Sequence, residues 1–316
     1  MKDIYNKLFG YIGTIFMLHR VQDENTGKLF SNENMKISPK NLDSKIKKLI
    51  KNKYSFISID ELYYNLKNNI KTSKCIVFTL DDGYLDNYTN ALPLFKQYNI
   101  PFTIYVTTSF PDREFTMWWY ALEDIILNSN KFINYKLKKY DCSTLQSKQK
   151  TFISIRNLLV KSRFPNQEFL NNFSIYLKDF DLKEYNELVM DWNILRIISK
   201  EKLVTIGSHT TTHPSFNFLN KDELNLEIND SKLLLENKLD IKIEHFAYPF
   251  GSKIEVSNKI IEELNNFNFK TCVTTRMNNI YLKHSSRMTG LPRVMLTNDF
   301  DINITNNFNF LRYLIN

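Results

Sequence analysis

Two short stretches of this chain carry the residue types of hydrolytic chemistry. The first is Cys75 to Asn87, CIVFTLDDGYLDN, in which an apolar run rich in β-branched residues ends in two adjacent acids, Asp81 and Asp82, and then Gly83. Neighbouring carboxylates repel, so a fold that places both at a strand end needs a partner for the charge. A divalent cation would serve one of them and leave the other to act as a base. A solvated turn with an acidic helix cap is the plainer alternative for this stretch taken alone. The second stretch is Gly207-Ser208-His209-Thr210-Thr211-Thr212-His213-Pro214. Two histidines four apart on one helical turn would point the same way and offer two nitrogens to one metal. One carboxylate and two histidines leave open positions on Zn²⁺ or another first-row divalent ion. With a second carboxylate alongside to take a proton, the set suits metal-assisted hydrolysis of an amide or an ester.

The elements that must position these residues alternate along the chain. Thr14–Leu18 reads as a first strand, followed by a polar loop, Gln22 to Asn34. Ser38 and Pro39 open a helix in which Leu42, Ile46, Leu49 and Ile50 recur at helical spacing. Tyr54–Ile59 is expected as a strand, Asp60 as the cap of a helix over Glu61–Leu66, Ala91–Tyr98 as a helix and Pro101–Val106 as a buried strand. Strand and helix at short intervals predict an α/β fold of parallel units, and acids at the C-terminal end of such a strand sit where parallel folds build their sites. From about Asp112 to Leu188 the rhythm changes to a mostly helical insertion without a catalytic motif. Its Trp118-Trp119 pair either anchors the insertion or stacks on a sugar ring. Beyond Asp191 the alternation resumes: strand Leu203–Ile206 before the histidines, helix Lys221–Leu239, and strand His245–Ala247 running into Tyr248-Pro249-Phe250-Gly251. Helix Val256–Leu264, strand Lys270–Thr274, Leu291 to Val294 and a terminal cover, Asn303–Asn316, complete a single domain.

At 316 residues and 43% hydrophobic, the chain can bury a large core. Its formal net charge of +8 suits an anionic glycan or membrane surface, with peripheral membrane association as one consequence. The lysines are spread along the chain with no basic block, so nucleic acid is not expected as a partner. Cys75, Cys142 and Cys272 are odd in number and far apart, which argues for a reducing compartment and against a disulfide framework or a thiolate metal site. Leu8 to Leu18 is too short an apolar run to span a bilayer and lacks a small-residue cleavage site, so a cytoplasmic location is expected, including the inner face of the membrane.

The chain resembles the polysaccharide deacetylases of carbohydrate esterase family 4. Thr79-Leu80-Asp81-Asp82-Gly83 is similar to that family's T-F-D-D-G motif with Leu80 for Phe, and His209 to His213 to its H-[ST]-x-x-H. Phe246-Ala247-Tyr248-Pro249-Phe250-Gly251 falls where the family has R-x-P-Y, in the manner of the members with F-A-Y-P-[FY]-G. The resemblance covers roughly residues 12 to 111 and 187 to 297, outside the insertion. It implies a distorted (β/α) barrel of about seven strands and an N-deacetylase acting on an acetamido sugar of a surface polysaccharide or glycolipid. Position by position it implies Asp81 as general base, Asp82, His209 and His213 as ligands of one divalent metal, and the backbone N–H of Phe250 beside the oxyanion. The metal expected is Zn²⁺, with Co²⁺, Ni²⁺, Fe²⁺ and Mn²⁺ as substitutes. Ser208 and Thr210 would orient the histidine loop.

Two departures leave roles open. Ala247 stands in place of the arginine that in many members orients the catalytic aspartate; Arg293 is the candidate to supply that charge, and a surface arginine is the alternative. The family's L-x-H motif brings a histidine that protonates the leaving amine. Leu282-Lys283-His284 matches its letters in a polar loop, and His19, at the end of the first strand, is the other candidate. The same equipment would also serve an O-acetyl esterase, a deformylase or an amidohydrolase on a small amide. A non-catalytic glycan-binding barrel would have no need of Asp81.

Overall fold

The computed structural model describes residues 10–302 other than Ser73; the start of the first apolar run (Leu8, Phe9) and the segment Asn303–Asn316 lie outside the described residues. Seven strands carry the fold: β1 Tyr11–Leu18, β2 Cys75–Leu80, β3 Phe102–Val106, β4 Val204–Ser208, β5 His245–Ala247, β6 Thr271–Met277 and β7 Leu291–Met295. Each pairs in parallel with the next in chain order, from Gly13↔Cys75 through Val273↔Leu291. β7 returns to β1 through Phe16↔Val294 and Met17↔Met295, which closes the barrel. Such strands are apolar on both faces, because one face fills the barrel and the other meets the helices. Val77 packs inside with Ile12, Tyr105, Ala247, Val273 and Leu291. Ile76, Phe78 and Leu80 alternate outward against Leu42, Ile46 and Leu49 of helix α1, Pro39–Lys51.

Several local expectations shift. The Gln22 to Asn34 loop contains a one-turn helix, Phe30–Glu33, and only Ser55–Phe56 of the 54–59 stretch forms a strand. Helix α2 spans Ile59–Lys67 and is capped by Ser58, whose hydroxyl accepts from the Glu61 N–H at 3.0 Å. Asp60 is turned away instead, to Lys270 Nζ at 2.8 Å and His245 Nε2 at 3.2 Å.

The insertion has its own apolar centre. Helices α3 Trp118–Asn128, α4 Leu145–Val160 and α5 Pro165–Phe173 pack around Trp118, Ile126, Phe152 and Phe169. They are joined by an antiparallel hairpin, Phe132–Tyr135 with Lys138–Asp141, where burial alternates with period two rather than at helical spacing. Leu29, Tyr84 and Phe110 from the barrel loops enter the same cluster, so the insertion docks on the end of the barrel where the strands finish. Among the described residues no helix is long and apolar enough to cross a membrane.

Candidate metal and catalytic site

Asp81 extends the inward face of β2, and its carboxylate is held by Arg293 of β7. The guanidinium reaches from the far side of β1 and grips both oxygens, Nη1 to Oδ1 and Nη2 to Oδ2, each at 2.7 Å. Its Nε donates to the Thr274 carbonyl at 3.0 Å and Nη1 also to Thr79 Oγ1 at 3.0 Å. Four of the five guanidinium N–H groups are therefore satisfied inside the barrel, which is what allows a charge to be buried there. Arg293 is the buried partner of Asp81 and not a surface residue. Against the cost of burial, its charge and hydrogen bonds hold the Asp81 carboxyl down at about 2, so the group is ionised throughout the neutral range.

The next residue leaves the strand in a left-handed turn, with φ +74° at Asp82 and +72° at Gly83. Glycine meets that backbone at little cost; at Asp82 the conformation is strained and turns the side chain away from that of Asp81. Asp82 Oδ1 lies 3.5 Å from His209 Nε2 and 3.4 Å from His213 Nε2. The ligating atoms of all three residues lie within 4.8 Å of one another, and all three side chains are buried.

The histidines do not share a helical turn. They flank a tight loop after β4 with φ +72° at Thr210 and +56° at His213, and this loop brings the rings to 4.9 Å. Thr210 Oγ1 accepts from the His213 N–H at 3.0 Å and donates to the His209 carbonyl. Ser208 Oγ bonds Ser231 Oγ at 2.7 Å. From helix α7, Lys221–Leu239 (α6 being Trp192–Ile198), Glu227 Oε2 accepts from the N–H groups of Thr211 and Thr212 at 2.9 and 2.8 Å. Nothing in the helix's apolar spacing marks Glu227 for that task.

These residues fit a metal on their own chemistry. His209 Nδ1 meets the Ala247 carbonyl at 2.7 Å, which makes it the protonated nitrogen and leaves a lone pair on Nε2. Burial pushes both imidazoles below the ordinary range, so they are neutral. Burial, with the Asp81 charge second, pushes Asp82 up to about 8, and its Oδ1 has no hydrogen-bond partner among the described residues. A divalent cation at the point where Asp82 Oδ1 and the two Nε2 atoms converge would neutralise that carboxylate and partner all three groups. Tetrahedral donors about 2.0–2.1 Å from one ion stand roughly 3.3 Å apart, close to the 3.4 and 3.5 Å separations seen here.

Around this centre stand a histidine, a backbone donor and an aromatic wall. His19 follows β1 at the same end of the barrel; burial lowers it to about 4, and its Nδ1 has no partner among the described residues. Phe250 follows β5 with φ +57°, its ring 4.7 Å from His213, and no hydrogen bond from its N–H is made within the described residues. Trp118 is buried in the insertion, whereas Trp119 is half-buried and lies 5.7 Å from the His213 ring, with Phe110 at 6.3 Å. His284 is elsewhere: its Nδ1 accepts from the Tyr281 N–H at 2.9 Å, and Tyr281 pairs with Tyr11 at the opening residue of β1. The whole length of β1, about 25 Å at the usual rise per residue, separates it from Asp81. The L-x-H letters at 282–284 are a coincidence of sequence.

A family model for polysaccharide deacetylases matches residues 68–272, which include both motifs and the insertion. The chain belongs to the polysaccharide deacetylase family. The family's YxkH protein of Bacillus subtilis (strain 168) is 34% identical over 93 residues, a match that spans 29% of this chain and 30% of that relative. The fold is similar to that of the Streptococcus pyogenes deacetylase PplD in complex with acetate, with TM-score 0.60, 17% identity and 92% and 93% of the two chains covered. It is likewise similar to a de-N-acetylase from Aggregatibacter actinomycetemcomitans, with TM-score 0.59, 16% identity and 94% and 99% covered. At such identities the likeness is one of fold, and it agrees with the closed seven-strand barrel.

Proposed function

We propose that this deacetylase family member is a metal-dependent hydrolase that removes the N-acetyl group of an acetamido sugar during synthesis of a surface polysaccharide or glycolipid. The observation that carries the reading is the pairing of an ionised, arginine-held Asp81 with the adjacent Asp82–His209–His213 set. When bound there, a divalent ion, Zn²⁺ first among the candidates, would polarise the acetyl carbonyl and acidify the attacking water. Asp81, ionised across the neutral range and held by Arg293, would take the proton of the attacking water. Arg293 keeps that carboxylate aimed through the transfer. The N–H of Phe250, without an acceptor among the described residues, would donate to the acetyl oxygen as negative charge grows there. His19, neutral at rest, would relay to the departing nitrogen the proton that Asp81 takes from water, so that acetate and the free amine leave.

Peripheral attachment to an anionic membrane is part of the same reading. At the tip of the insertion's hairpin Leu137 is fully exposed between Lys136 and Lys138, with Lys131 and Lys139 nearby in sequence, which suits a lipid surface at the inner face of the membrane.

O-acetyl esterase activity requires the same groups, so the deciding experiment is acetate release by metal-loaded protein from matched N-acetylated and O-acetylated sugars. Release from the N-acetylated series is expected. Release confined to the O-acetylated series would replace the reading with esterase, and none from either would remove it.

A further inference from the structure

The mechanism above leaves one charged group at the site without a task. Arg156 lies on α4 of the insertion, its guanidinium carbon 5.6 Å from the centre of the Phe250 ring. The His213 ring lies 4.7 Å from the same ring. The two spacings together put the guanidinium no further than about 10 Å from the His213 ring, a span that one sugar unit and a substituent can bridge. No carboxylate lies within 4 Å of it among the described residues, and its one hydrogen bond is a long contact of 3.4 Å to Asn157, its own neighbour. The contrast is with Arg20, Arg163 and Arg293, each of which grips an acid. Burial has also depressed the Arg156 guanidinium below its usual range, only partly offset by Glu255. His19 and His213 both feel its charge. A half-buried arginine beside Phe250, with no ion-pair partner within 4 Å among the described residues, has its charge available for an anionic ligand.

We infer that Arg156 is a substrate-binding residue that accepts an anionic group, phosphoryl or carboxylate, carried on or next to the acetamido sugar whose acetyl group is removed. This rests on the proposed deacetylase reading and narrows its substrate to an anionic glycan or sugar phosphate. A guanidinium offers paired N–H donors to two oxygens of either group. Phe250 beneath it fixes the plane of the guanidinium by cation–π contact and excludes water from one side. The excess of positive charge, +8 over the whole chain, would draw such a substrate in.

The test uses the full chain carrying Asp81→Asn, so that binding is read without turnover. Calorimetric titration compares N-acetylglucosamine 1-phosphate, an N-acetylated aminouronic acid and the neutral methyl glycoside of N-acetylglucosamine. One of the two anionic ligands is expected to bind about 10- to 100-fold tighter than the neutral one, and which one it is separates phosphoryl from carboxylate. Arg156→Gln should abolish that preference while leaving the neutral ligand unchanged, and Arg156→Lys should restore part of it. Equal binding of all three ligands, or an equal loss for all three in Arg156→Gln with the fold intact, would overturn the assignment. Because no step of this test needs acetate release, the subsite and the deacetylase reading fail separately: a preference for the anion in a protein that releases no acetate would keep the first and sink the second.

Discussion

Arg293 and Asp81 stand 212 residues apart in the chain, and their side chains form a two-pronged ion pair inside the barrel with both contacts at 2.7 Å. The pair fixes the direction of the carboxylate and keeps it charged. Removing one partner of a buried pair leaves the other uncompensated, a cost of about 3–5 kcal/mol. Arg293→Met should therefore lower the melting temperature markedly at pH 7. The sign with pH follows from Asp81, whose carboxyl lies at about 2 against an ordinary 3.8. In the wild type this stabilisation is complete above about pH 4 and fades as pH falls towards 2. In Arg293→Met the lone buried carboxylate takes up a proton more readily, so acidification from 7 to 4 should narrow the gap between variant and wild type. Thermal melts across that range check it; a gap that stays constant or widens would show that the pair is not what Arg293 contributes.

The left-handed backbone at Asp82 sets the two neighbouring carboxylates apart, and the proposed function gives them different work. Asp81→Asn should keep the fold and most of the bound metal while losing about 10² to 10⁴ in turnover, the usual cost of a general base. Asp82→Asn should lose both. An Asp81→Asn protein that arrives metal-free, or works at near wild-type rate, would contradict this division.

The part of the site that could be read from the sequence is the part made by short-range chemistry. Asp81-Asp82-Gly83 and the His209–His213 pair each announce themselves within a few residues, and strand alternation places both at the same end of a parallel barrel. The spacing misleads about how the histidines meet, because positive φ at Thr210 and His213 makes a loop where a helical turn is expected. What depends on closure is harder to read. Arg293 reaches Asp81 only because β7 returns to β1, and the letters around His284 resemble a motif while the antiparallel pairing of Tyr281 with Tyr11 carries them to the opposite end. Trp119 and Arg156 come from an insertion whose helices have no local signal of what they face. Its hairpin escapes notice because four-residue strands amid lysines and asparagines leave little pattern.

Trp119 lies 5.7 Å from the His213 ring, and the proposed function would have it stack on the sugar. Trp119→Ala should raise KM for an oligosaccharide about 3- to 10-fold, in line with one aromatic contact, with little change in kcat on a minimal substrate. Steady-state kinetics on both substrates decide this. Collapse of minimal-substrate turnover in a folded protein would move Trp119 into the catalytic machinery.

The two candidate histidines for proton delivery now lie at opposite ends of β1. His19→Gln should cost about 10² or more in kcat and leave metal content unchanged, while His284→Gln should leave kcat within about two-fold and act, if at all, on stability. The reverse pattern would assign the acid to a group that this geometry places far from Asp81.

Metal content bears on the whole account most directly. Elemental analysis of purified wild type after loading and desalting is expected to give one divalent ion per chain. His213→Ala, Asp82→Asn and His209→Ala should each bring it close to zero with the barrel still folded by circular dichroism. Equal metal in wild type and His213→Ala, or none in a correctly folded wild type exposed to Zn²⁺, would contradict the reading of Asp82, His209 and His213 as a metal centre and the hydrolytic function built on it.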